Sequence, residues 1–200
     1  MKTPLLAVVP LLAFCPSGFA SEAQSIAPGA VGIMAKASAE RILYDFQIED
    51  NLRGWRIQDD VVMGGRSRGM FTWSKDGYAV FSGEVSLENN GGFSSVQTYF
   101  DPIEVSGFRK AFIRLKGDGK PYRFTVESDN ADRHYYVSEF TTSNEWQTVE
   151  ISLAKMYPMR RGDRLDIPNY PGKTMVKISF MIANQRAESF HLQIQKIWLE

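Results

Sequence analysis

Polar and apolar residues alternate along most of this chain, and that period of two restricts the fold more than any other feature. YRFTVES sets Tyr122, Phe124 and Val126 against Arg123, Thr125 and Glu127. QTVEISL sets Val149, Ile151 and Leu153 against Thr148, Glu150 and Ser152. VKISFMI sets Val176, Ile178, Phe180 and Ile182 against Lys177, Ser179 and Met181. AVFSGEVSL repeats the pattern with Ala79, Phe81, Val85 and Leu87. Successive side chains of a strand point to opposite faces, so each stretch reads as a half-buried strand with one wet face. FHLQIQKIWL starts with Phe190, Leu192 and Ile194 inward, then changes parity to Ile197 and Leu199, the mark of a single inserted residue at a bulge. The clusters KDG, NNGG, GDGKP, SDNAD and TSNE supply turns between strands. No segment shows a convincing amphipathic helix. The expected fold is therefore all-β, an antiparallel β-sandwich or jelly roll. Ala154–Lys173, with three prolines, reads as a long irregular loop of the kind that often carries function.

Two hundred residues hold one such domain with a leader to spare. Residues 1–20 read as a secretory signal: Lys2, an apolar run from Leu5 to Phe14, then Gly18 and Ala20 at the positions a signal peptidase prefers. The run is too short for a stable membrane span, and no Arg precedes Arg41, which fits a mitochondrial transit peptide poorly. Residues 21–40 read as a flexible lead-in and residues 41–200 as a single domain. Export to a periplasm or beyond is the expected localisation. The only cysteine, Cys15, lies in the leader, where Phe14 is too large for a lipoprotein cleavage site. After cleavage the chain has no thiol for a disulfide, a nucleophile or a thiolate metal site.

Lys plus Arg and Asp plus Glu both number 23, which argues against a general nucleic-acid binder. DDVVMGGRSRG, Asp59 to Gly69, has the glycine separation of a phosphate loop, but Met70 and Phe71 stand where Lys and Ser/Thr are required, and no helix follows. Asp59 and Asp60 point to opposite faces if extended, so they form no automatic acid–base pair. Each remains open as an isolated acid, a Ca²⁺ ligand with loop carbonyls, or a turn acid paired with Arg66 or Arg68. His134 and His191 have no zinc-site spacing, and no G-x-S-x-G elbow occurs. No cofactor, metal site or catalytic set is expected.

LENNGGFSSVQ reads as a wide turn in which Asn89 and Asn90 either tolerate positive φ or offer amides to a sugar or peptide. RHYYVSEF carries aromatics on both faces, Tyr135 on one and Tyr136 with Phe140 on the other; Tyr136 and Trp146 are taken as candidate exposed anchors. Arg161–Asp163 reads as a polar turn. The ligand- or partner-binding candidates are Asp59, Asp60, Arg66, Ser67, Arg68, Asn89, Asn90, Tyr136 and Trp146.

WRIQDDVVMGGRSRGMF, AVFSGEVSLENNGGFSSV, LKGDGKPYRFTV and FHLQIQKIWL occur in this order. Together they resemble the complex I intermediate-associated protein 30 family over Ile42 to Glu200. The resemblance implies a galactose-binding-domain-like β-sandwich and a non-enzymatic role as an assembly factor, since mitochondrial members help assemble the respiratory NADH:ubiquinone oxidoreductase. The implied partner is another protein, such as a membrane complex under assembly; the alternative is a carbohydrate-binding module that takes a glycan. The family supplies no catalytic residues. Its two-part signature falls on Asp59, Asp60, Met63, Gly64, Gly65 and Ser67 and on Asn90, Gly91, Gly92 and Phe93, with Trp55 just upstream. The two parts are expected side by side, with Val61, Val62 or Met63 filling core and Gly64–Gly65 making a turn.

Overall fold

A computed structural model describes residues 40–48 and 52–200; the leader and most of the lead-in lie outside the described residues. The strands are β1 (Arg41–Asp45), β2 (Trp55–Asp59), β3 (Arg68–Ser74), β4 (Tyr78–Val85), β5 (Ser94–Glu104), β6 (Lys110–Lys116), β7 (Pro121–Glu127), β8 (Tyr135–Thr141), β9 (Gln147–Ser152), β10 (Tyr157–Arg160), β11 (Asp163–Arg164), β12 (Thr174–Ile182) and β13 (Glu188–Leu199). Every pairing is antiparallel. One sheet runs β3-β4-β13-β6-β9, with β1 also on β13; the other runs β11-β10-β8-β7-β12-β5-β2. Helical structure among the described residues is limited to three 3₁₀ turns, Asp60–Met63, Glu88–Asn90 and Leu153–Lys155.

The alternation places the core as expected. Phe81, Ile113, Leu115, Leu192 and Ile194 of the first sheet meet Tyr122, Phe124, Val126, Ile178 and Phe180 of the second, all essentially inaccessible to solvent. The parity change in β13 is a bulge: Ile194 pairs with Leu115, but Lys196 pairs with Arg114. The extra carbonyl, on Gln195, accepts the Phe46 amide at 2.9 Å. That bond helps seat an aromatic cluster in which Trp55 lies 4.9 Å from Tyr44, 5.1 Å from Phe71 and 6.4 Å from Phe180 between ring centroids. Leu87 departs from the pattern. The strand ends at Val85, and Leu87 is exposed ahead of a 3₁₀ turn.

The Ala154–Lys173 stretch is less irregular than its prolines suggest. Arg161 and Gly162, with φ of +52° and +93°, form the two-residue tip of the β10–β11 hairpin, the backbone geometry that tight hairpins prefer. Tyr170 pins the rest: its amide donates to Met156 O at 3.0 Å, its hydroxyl donates to Thr174 O at 2.6 Å, and its ring is buried.

Candidate functional site

The two halves of the Asp-Asp and Asn-Gly-Gly signature occupy the connections β2–β3 and β4–β5, both of which pass from one sheet to the other. They lie side by side and are joined through carboxylates. Asp60 is fully buried. Its Oδ1 accepts the Ser67 amide at 3.0 Å, and its Oδ2 accepts the Ser67 hydroxyl and the Gly92 and Phe93 amides, the latter two at 2.7 and 3.3 Å. Ser67 Oγ in turn accepts the Ser86 amide at 3.0 Å. Asp59 accepts the Gly69 amide at 2.9 Å and the Ser94 hydroxyl at 2.6 Å. Both oxygens of both carboxylates are thus occupied by the protein itself. Asn89 adds a bond to Gly64 O at 3.1 Å.

The glycines of this clamp leave room for those carboxylates. A Cβ on Gly65 would sit 2.3 Å from Asp60 Oδ1, and one on Gly91 would sit 2.7 Å from Asp60 Oδ2. Gly64 (φ +92°) closes the 3₁₀ turn by donating to Val61 O, and Gly65 donates to Asp60 O. Of the three residues offered for the core, Val61 and Met63 are exposed, because the interior position of this turn is taken by the Asp60 carboxylate and its donors, and the Val62 side chain lies outside the described residues. Arg66 pairs with Glu88 at 2.8 Å with both side chains largely in solvent, a contact worth little to stability. Arg68 and Asn90 are exposed, and Trp55 is core.

Burial raises the Asp60 pKa, but the bonds from the Ser67 hydroxyl, the Gly92 amide and the Ser67 and Phe93 amides outweigh it and hold the carboxyl below its ordinary value. A carboxyl depressed in the folded state stabilises above its unfolded pKa of about 4 and loses that contribution as pH falls through the folded value. Stability at neutral pH therefore includes the full Asp60 contribution. Urea midpoints measured from pH 7 downward are expected to fall below about pH 4. Asp60→Asn should show a shallower acid decline; an identical decline would remove Asp60 as its source.

A second feature lies on the outer face of the β2-β5-β12-β7-β8 sheet. Pairing aligns Gln58, Ser95, Met181, Arg123 and Glu139 in one row across five strands. Gln97, Ser179 and Thr125 form the next row. All of these residues except Glu139 floor a groove of about 620 Å³. Met63 and Phe93, from the two signature connections, wall it beside β2; Tyr135 and the Arg161–Gly162 hairpin tip wall it beside β8. Gln97 Nε2 donates to Gln58 Oε1 at 2.8 Å, and the Thr125 and Ser179 hydroxyls bond each other. Arg123 pairs with Glu139 at 2.9 Å and Lys177 with Glu127 at 2.7 Å. Burial pushes the Tyr135 phenol up, so it stays a neutral donor at physiological pH.

The sequence-derived candidates divide accordingly. Asp59, Asp60 and Ser67 belong to the clamp. Tyr136 is not an exposed anchor: it is buried, 5.1 Å from the Tyr170 ring that pins the loop over it, and its hydroxyl bonds His134 Nε2 at 3.1 Å. Its neighbour Tyr135 is the one that reaches the groove. Trp146 is half-buried beside the first sheet, 5.6 Å from Tyr78 with the Arg114 guanidinium 5.9 Å from its ring, and takes no part in the groove. Gln58, Gln97, Arg123, Tyr135, Arg161, Lys177 and Met181 were missed as a set. Several were legible as wet-face residues, but nothing in the sequence aligns them. Among the described residues no group of three or more His, Cys, Asp or Glu side chains could hold a metal, and no helix is long and apolar enough to cross a membrane.

These features define an all-β, two-sheet antiparallel sandwich with an open groove on one outer face. It is similar to the family 11 carbohydrate-binding module of a cellulosomal cellulase of Clostridium thermocellum, with a TM-score of 0.60 and 20% identity over 82% of this chain and 95% of that one. The same family 11 module in complex with a β-1,3-1,4-mixed-linked tetrasaccharide gives a TM-score of 0.58 and 20% identity over 80% of this chain and 94% of that one. At such identity the likeness is one of fold. The family model described as Complex I intermediate-associated protein 30 matches residues 44–194, and the chain belongs to that family. It is 24% identical over 153 residues to the Complex I intermediate-associated protein 30, mitochondrial, of Mus musculus, covering 64% of this chain but only 45% of that relative.

Proposed function

We propose that this chain is a non-enzymatic protein-binding domain, acting as an assembly factor, and that it holds a segment of its partner in the groove on the second sheet. The observation that carries this reading is the composition of the groove. Met63, Phe93 and Met181 give it adaptable apolar contact, and the Gln58–Gln97 pair leaves Gln58 Nε2 and Gln97 Oε1 to bond a ligand backbone. The volume suits one bound segment. The two aspartates that most resembled catalytic groups are consumed by the clamp, so no acid remains in the signature for chemistry. Family membership supports an assembly role, and the secretory leader directs the search to exported and membrane proteins.

The tagged domain is expected to recover a reproducible protein from solubilised native membranes. Met181→Asp, on the wet face, should reduce that recovery about tenfold while changing stability by less than about 1 kcal/mol. Equal recovery by the variant would move the binding surface elsewhere, and no reproducible partner would overturn the reading. One observation favours a glycan instead: the same groove holds the Tyr135 ring, open amides and Arg123, the combination of stacking and planar polar groups that sugars use. A glycan array with Ca²⁺ present separates the two.

A further inference from the structure

The groove is not uniform along its length. At the β2 end its walls are Met63 and Phe93; at the β8 end they are Tyr135 and the Arg161–Gly162 tip, with Arg123 on the adjoining β7, and the middle strand β12 carries Met181 and Lys177. Three cationic side chains line it and no carboxylate does. Two of those cations are matched from beside the groove, Arg123 by Glu139 and Lys177 by Glu127. Arg161 makes no ion pair among the described residues, is exposed, and is held at the hairpin tip by a left-handed backbone that fixes where its side chain departs. The local balance therefore leaves one unmatched positive charge, at one end only.

Resting on the binding role proposed for this groove, we infer that its occupant is an extended peptide segment, apolar at the end that meets Met63 and Phe93 and acidic at the end that meets Arg161. The dimensions agree. Five strands spaced about 4.8 Å apart give a floor about 19 Å across, the length of about six extended residues at about 3.3 Å each. Paired Gln58 and Gln97, on β2 and the adjoining β5, meet the segment's backbone toward its apolar end. An acidic group at the opposite end would face methionine and phenylalanine and lose its hydration without a partner.

The test uses protein labelled with ¹³C at methionine methyls and acetylated, amidated hexapeptides: Leu-Leu-Ser-Ser-Glu-Glu, its reversed sequence, and versions with Lys or Gln in place of Glu. Met63 and Met181 methyls should shift on titration with at least one acidic orientation, while the buried Met175 methyl stays still. The acidic peptide should bind about fivefold more tightly than the Gln version and more tightly still than the Lys version, with the preference fading in salt. Arg161→Glu should invert the order. Binding at Met63 and Met181 without charge preference would overturn the acidic assignment and leave the groove reading intact. Oligogalacturonate shifting these methyls while every peptide fails would overturn the peptide assignment in favour of an acidic glycan. If the Met181→Asp variant captures partner normally from membranes, the groove reading fails independently of the peptides.

Discussion

Replacing Asp60 with alanine is expected to cost the domain about 3–4 kcal/mol, seen as a lowered urea midpoint by tryptophan fluorescence. The substitution leaves the Ser67 hydroxyl and three backbone amides without their acceptor inside a fully buried position. Hydrogen bonds to a charged acceptor are worth more than neutral ones, and unpaired buried donors bear their full desolvation cost. Asp60→Asn should recover little, because the amide turns one oxygen into a donor facing donors. The effect is expected to spread across both sheet-switching connections, since one carboxylate ties residue 67 to residues 92 and 93. A loss below about 1 kcal/mol for Asp60→Ala would show that the clamp is ornamental.

Gly83→Ala is expected to cost about 2–3 kcal/mol by overpacking. Gly83 lies opposite Gly69 in the β3–β4 pair. An added Cβ would fall 2.0 Å from Arg68 O and 3.0 Å from Gly69 Cα, both backbone atoms of the neighbouring strand. No side chain can rotate away, so the strands must separate locally. That movement would pull on the Gly69 amide held by Asp59, so Gly83→Ala and Asp59→Ala should not be additive in a double-mutant cycle. Gly107→Ala, which meets nothing within 4 Å, is the control and should change stability by less than about 0.5 kcal/mol. Equal midpoints for the two alanine variants would contradict the close approach of β3 and β4.

Much of this was readable along the chain. The alternation in VKISFMI and YRFTVES correctly gave the core-facing residues, although Ser179 and Thr125 on the opposite face are buried too, and even the Gln195 bulge announced itself as a parity change. The nearness of the two signature connections was also expected. Some residues were misread or overlooked where local pattern and tertiary need diverged. Val61 and Met63 are apolar in a signature block yet exposed, because backbone donors from distant residues demanded the Asp60 carboxylate inside. Tyr136 was taken for an anchor because alternation says which residues share a face but not what covers that face; Tyr170, thirty-four positions later, covers it. Gly83 drew no notice, since its role exists only opposite Arg68 and Gly69.

The sequence by itself determined the class of fold, the dry and wet side of most strands and the family, because those properties are local: a period of two and a pair of short motifs. Register and crossover belong to the folded chain alone. Pairing β12 between β5 and β7 brings Gln97, Ser179 and Thr125 into one row, and no neighbour in sequence foretells that alignment. The same pairing turns scattered wet-face residues into a groove, while the signature that looked most like a site became the clamp at its β2 end. Carboxylates met by enough amides hold structure; side chains left with open donors and acceptors on a concave face are free to hold a ligand.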